Sequence, residues 1–112
     1  MPFKYDPEKT RDISFNAGSY KSHGCEYCAI GALALGCDQL VNKGSSMGVM
    51  TDVSDEFKQQ FQERFGCTPS SWGMTYFDNE LTSPSFMERF QKDAREIFDR
   101  LVQMAKENGL IE

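Results

Sequence analysis

No run in this sequence approaches the ~20 consecutive apolar residues of a helical membrane span, which argues against a membrane protein of that kind. Basic residues are scarce and scattered: 12 Lys and Arg stand against 17 Asp and Glu, for a formal net charge of −5. Gripping a phosphate backbone needs clustered Lys and Arg, so direct nucleic-acid binding of that type is not expected. An acidic surface can imitate nucleic acid toward a basic partner, but −5 is also ordinary solubility charge for a small domain. There is one histidine, His23, and no phosphate-cradling glycine loop, so the usual nucleotide-binding signature is missing. The start, Met1 to Asp6, lacks a basic-then-apolar leader, which leads to the expectation of a cytoplasmic protein with reduced thiols.

What is present is enough for one domain. A chain of 112 residues buries roughly two thirds of the surface that its unfolded form exposes, which supports a core without disulfides or metal. Residues 1–24 are polar and rich in turn formers, and they read as an irregular arm ahead of a core spanning 25–112. Within the arm, only Asp12 to Phe15 alternate like a strand. Residues 25–36 are apolar almost all round, Ala-rich and stopped at Gly36, as expected of a buried central helix. Residues 38–52 read as a loop. Ser54 then caps a helix over 54–66, with Asp55 and Glu56 in its first turn, an aromatic stripe of Phe57, Phe61 and Phe65, and Gly66 as its stop. Residues 67–73 read as a turn-rich connector.

The last element carries the strongest pattern. Ser85 and Glu88 form a capping box, and Met87, Phe90, Ala94, Ile97, Leu101 and Ala105 trace one face of a helix over 85–108. Glu88/Lys92, Arg89/Asp93, Arg95/Asp99 and Glu96/Arg100 are opposite charges four apart on the other side. The expected fold is therefore mainly α: a compact three-helix core with an irregular N-terminal arm and a small strand pair formed by the arm and residues 74–77.

The four cysteines supply the one constellation with chemical potential. His23, Cys25, Cys28 and Cys37 have the residue types of a structural zinc site opened by Cys-x-x-Cys. However, in one continuous helix Cys28 and Cys37 would face opposite ways, so zinc requires that helix to begin late or end early. Cys25 and Cys28 at a helix start also suit redox chemistry, since the dipole there lowers a thiol pKa, although no strand-rich context surrounds them. The plainest alternative makes Cys28 and Cys37 small buried hydrophobes with no cofactor. Asp78, Asn79 and Glu80 precede the final helix, where such side chains tie down turns more often than they bind cations or move protons. A small hydrolase or transferase would draw on Asp78, Glu80 and His23. Trp72 is a candidate interface residue, provided that part of it is exposed.

Two short motifs resemble a family. Cys28-Ala-Ile-Gly-Ala-Leu33, followed by Tyr76-Phe77-Asp78-Asn79-Glu80 and a Ser-Pro helix start, resembles an uncharacterised group of small bacterial and phage proteins. These share a Cys-x-x-Gly-Ala-Leu helix and a later aromatic-Asn-Asp turn. The resemblance implies a compact, largely helical domain in which structure positions Cys28, Gly31 and Asn79; it implies no activity. The expected function is that of a small non-enzymatic interaction or regulatory protein binding another protein. A zinc- or thiol-dependent domain built on Cys25 and Cys28 is the alternative.

Overall fold

A computed structural model of the chain describes residues 2–15, 26–41, 52–78 and 87–112. It is a mainly helical globule with two minimal strand pairs. The apolar run after residue 25 forms helix α1, Ala29–Gly36, with every residue except Leu35 buried. A short helix with no polar face has to be surrounded, and α1 packs against the long helix, both strand pairs and the arm's helical turn. It begins later than the expected residue 25. Glu26–Tyr27 is instead a strand, β2, pairing in parallel with β1, Ser14–Phe15. The arm thus does supply a strand, but its partner is not residues 74–77. Those lie in a π-helical turn, Gly73–Asp78, that continues directly from helix α3, Pro69–Trp72.

The connector expected over 67–73 is itself helical because its residues fit a helix start. Thr68 caps the N–H of Ser71, and Pro69 sits at the first position, where its missing N–H costs nothing. Strands β3, Leu40–Val41, and β4, Asp52–Val53, pair antiparallel and bracket the loop expected over 38–52, most of which lies outside the described residues. Helix α2 spans Asp55–Phe65 as expected. Ser54 Oγ accepts from the N–H of Phe57 at 3.1 Å, and Gly66 closes the helix at φ +76°. Phe57 and Phe61 are fully buried, and Phe61 stacks on Phe65 at 4.1 Å between centroids.

Helix α4, Met87–Glu107, carries the expected face: Phe90, Ala94, Ile97, Leu101 and Ala105 are all buried, and Phe98 joins them. Ser85 of the capping box lies outside the described residues. The other end is a Schellman turn, with Gly109 at φ +78° and Leu110 N–H donating to Ala105 O at 2.8 Å. Of the four expected charge pairs, Arg89 and Asp93 meet at 3.8 Å. Arg95 is not a surface charge of this kind, because its guanidinium is directed to the arm.

The arm departs most from its expected irregularity. Residues 2–15 form a strap across α4 and the C-terminal residues, with Phe3, Thr10 and Phe15 buried. Phe3 bridges Ile111 in parallel: its N–H donates to Leu110 O at 2.9 Å, and Glu112 N–H donates to Phe3 O at 3.0 Å. Farther along, Asp6 N–H donates to Gly36 O at 2.9 Å, and Tyr5 lies over Gly36. That packing explains Gly36 better than helix termination does. The left-handed residue after α1 is Asp38, at φ 57°, whereas a Cβ on Gly36 would lie 2.7 Å from Tyr5 Cδ1. Tyr5 cannot swing away freely, because its hydroxyl is 2.6 Å from Thr10 Oγ1. Gly36→Ala should therefore cost about 1–3 kcal/mol despite the better helix former. A urea titration showing unchanged or higher stability would refute that steric role.

Candidate functional site

The strap and α4 enclose an open cleft of about 520 Å³. Its walls follow from the local structure just described. The 3₁₀ turn Pro7–Lys9, capped by Asp6, presents Glu8 and leads into Arg11, while successive turns of α4 present Arg95, Asp99 and Lys106. Three cations, Arg11, Arg95 and Lys106, face three anions, Glu8, Asp99 and Glu112, so the lining carries no net charge. Phe98, Val102 and Tyr5 supply apolar surface between them. Arg11 is already engaged, at 3.0 Å from Glu8 and 3.7 Å from Asp12. Burial raises the Tyr5 hydroxyl pKa above its usual value, against smaller lowering effects of the Thr10 hydrogen bond and Arg95. It is therefore a neutral phenol near pH 7 and has no means of acting as an anionic nucleophile there.

Arg95 joins the cleft to the strap. Its Nη2 donates to the carbonyls of Thr10 at 2.8 Å and Arg11 at 2.9 Å, and its guanidinium lies 5.2 Å from the Phe15 ring centroid and 5.6 Å from that of Phe98. One turn earlier, Gln91 uses both ends of its carboxamide on Phe15. Oε1 accepts from Phe15 N–H and Nε2 donates to Phe15 O, each at 2.8 Å. Sequence reasoning treated Arg95 as half of a surface pair and left Gln91 unremarked. The available signal was their spacing of four on the edge of the apolar face, opposite an arm holding lone aromatic residues.

Of the candidate site residues singled out in the sequence, none of those described lines this cleft. Cys28 caps the start of α1, where its Sγ accepts from Gly31 N–H at 3.3 Å, and Cys37 stands at the other end of the helix. Nine residues at 1.5 Å each separate them by about 13 Å. One zinc ion with bonds near 2.3 Å spans at most about 5 Å between thiolates, so these two cannot share it. His23 and Cys25 lie outside the described residues, as do Asn79 and Glu80; Asp78 ends the π-helical turn. Among the described residues, no three His, Cys, Asp or Glu side chains gather as metal ligands. Trp72 is 3 % exposed and sits in the core; the exposed aromatic beside it, at 5.4 Å, is Tyr76. No helix among the described residues is long and apolar enough to cross a membrane.

Among the described residues, Cys37 is a thiol that burial makes unreactive. Burial pushes its pKa from 9.0 up to about 12, against a smaller lowering by Lys9. A raised pKa in the fold favours the neutral thiol, so this contribution to stability is complete below pH 9 and is lost as the pH rises from about 9 toward 12. Stability should fall by about 1.4 kcal/mol for each pH unit in that window. At pH 8, iodoacetamide should spare Cys37 in the folded protein and label it on unfolding; peptide mapping that finds it alkylated at the rate of half-buried Cys67 would contradict this assignment.

The chain matches no protein-family model, no curated protein and no solved structure.

Proposed function

We propose that this protein acts by binding another protein, with the cleft between the strap and α4 as the contact surface. The observation that carries this reading is the composition of the cleft. Pockets for small organic ligands are mostly apolar with a few fixed polar groups, whereas this one sets six charged side chains, three of each sign, around a small apolar surface. Charges of both signs beside buried aromatic rings are how a protein surface selects a polypeptide and fixes its register. The motif resemblance adds a small bacterial or phage protein to this reading, as the setting in which such a binder works.

Affinity capture from the source cells with the wild-type chain and with an Arg11→Glu/Lys106→Glu variant tests it. The wild type should retain a specific protein and the variant should retain about tenfold less, at unchanged thermal stability. Repeated recovery of nothing specific, or equal recovery by both, would overturn the reading.

A second reading is favoured by one observation. Cys28 stands at the start of α1 directly after a strand, where amide N–H groups stabilise a thiolate. A thiol or zinc centre using Cys25 and Cys28 is therefore the alternative. Elemental analysis of protein purified without chelator, together with thiol titration, decides it; absence of metal and an unreactive Cys28 remove it.

A further inference from the structure

The strap's last residues occupy a slot that recognises backbone and one aromatic ring. Along one side, β2 pairs with Ser14 and Phe15 in parallel register. Along the other, Gln91 takes both the N–H and the carbonyl of Phe15, and Arg95 takes the carbonyls of Thr10 and Arg11. Each of these hydrogen bonds goes to main chain, which any extended segment offers equally. Within residues 10–15 the side chains of Thr10 and Phe15 are buried, and Phe15 is the aromatic anchor. Phe15, 2 % exposed, sits 5.5 Å from Phe98 and 6.1 Å from Phe77, beneath the Arg95 guanidinium. Main-chain pairing for affinity with buried side chains for specificity is how extended peptides are recognised by strand pairing.

We propose that this slot is a peptide-recognition site that the protein's own strap holds shut, and that its partner is an extended segment with a phenylalanine anchor that displaces residues 10–15. The proposal rests on the protein-binding reading and names both the partner's chemistry and the means of regulation. The strap is the occupant already in place, so binding is an exchange of one strand for another. Exchange also frees Arg11 and Glu8 at the cleft, so occupation of the slot and reshaping of the cleft are one event.

The test weakens the strap in cis and supplies it in trans. In the full-length chain, Phe15→Leu loosens the anchor while leaving Gln91, Arg95, Phe77 and Phe98 in place. A fluorescent peptide with the wild-type sequence of residues 2–15 should bind this variant saturably, and the same peptide carrying Phe15→Ser should bind about tenfold more weakly. Equal binding of the two peptides, or no binding to a folded variant, overturns the proposal. Should the variant fail to fold, hydrogen exchange on the wild type decides. The amide of Phe15 should exchange faster than those of Leu101 and Ala105; equal rates would mean that the segment leaves only on global unfolding. Neither measurement needs the cellular partner. Failure here leaves the capture result standing, and failure of capture leaves peptide exchange standing.

Discussion

Phe98→Ala should lower the stability of this protein by about 3–5 kcal/mol, the range for emptying a fully buried phenylalanine site. The side chain is completely buried on α4 and touches two parts of the fold at once. Its ring lies 5.5 Å from that of Phe15 on the strap, and it forms one face of the contact with the Arg95 guanidinium, at 5.6 Å. Truncation therefore removes the burial of the ring, opens a void beneath the strap and withdraws one of the two rings beside a cation. The surroundings close such a void poorly, because Phe15 is fixed through its backbone by Gln91 and cannot slide inward. For a domain whose total stability is on the order of 5–15 kcal/mol, a loss of this size is visible as a large drop in the urea midpoint at constant slope. A loss below about 1.5 kcal/mol would show that the strap and α4 do not share a packed core.

Arg95→Met should cost about 2–3 kcal/mol, although the residue is only half-buried. Methionine keeps most of the aliphatic stem, so the change isolates the guanidinium. What is lost are two hydrogen bonds from a charged donor, each worth about 1.5–3 kcal/mol when well buried and less beside an open cleft. The interaction with the Phe15 and Phe98 rings adds about 0.5–1 kcal/mol. Arg95→Lys separates charge from geometry. One ammonium cannot bridge two carbonyls and lie along two rings as a planar fork does, so lysine should restore less than half of the loss. Full rescue by lysine would place the effect in the cleft's charge balance and not in the strap clamp. In both variants the amides of Phe3 and Asp6 should exchange faster than in the wild type, since Arg95 holds the middle of the strap on which they lie.

Helices α2 and α4 were legible in the sequence because their signals are local. A capping serine, acidic residues in the first turn, phenylalanines four apart and a closing glycine specify α2 with no reference to the rest of the chain. The apolar face of α4 follows from spacing in the same way, as does its end before Gly109. The burial of α1 was also legible, since a helix with no polar face admits only one environment. Its first residue was not: Glu26 and Tyr27 are compatible with helix or strand, and pairing with Ser14 and Phe15, twelve positions earlier, decided between them.

The strap was the least legible part. Apart from the alternation of Asp12 to Phe15 its residues carry no periodicity, and a short polar stretch with scattered aromatics reads as a loose arm. Only the assembled molecule brings Phe3 to Ile111, Tyr5 to Gly36, and Phe15 to Gln91 and Arg95. The same cause placed the candidate cleft beyond reach of the sequence, because its two walls are about 85 residues apart in the chain. The sequence by itself determined the long helices and the apolar centre, because propensity, capping and spacing act within a few residues. The tertiary structure alone decided where the arm runs, which glycine must stay small and which arginine is a clamp, because each depends on what a distant segment places opposite it.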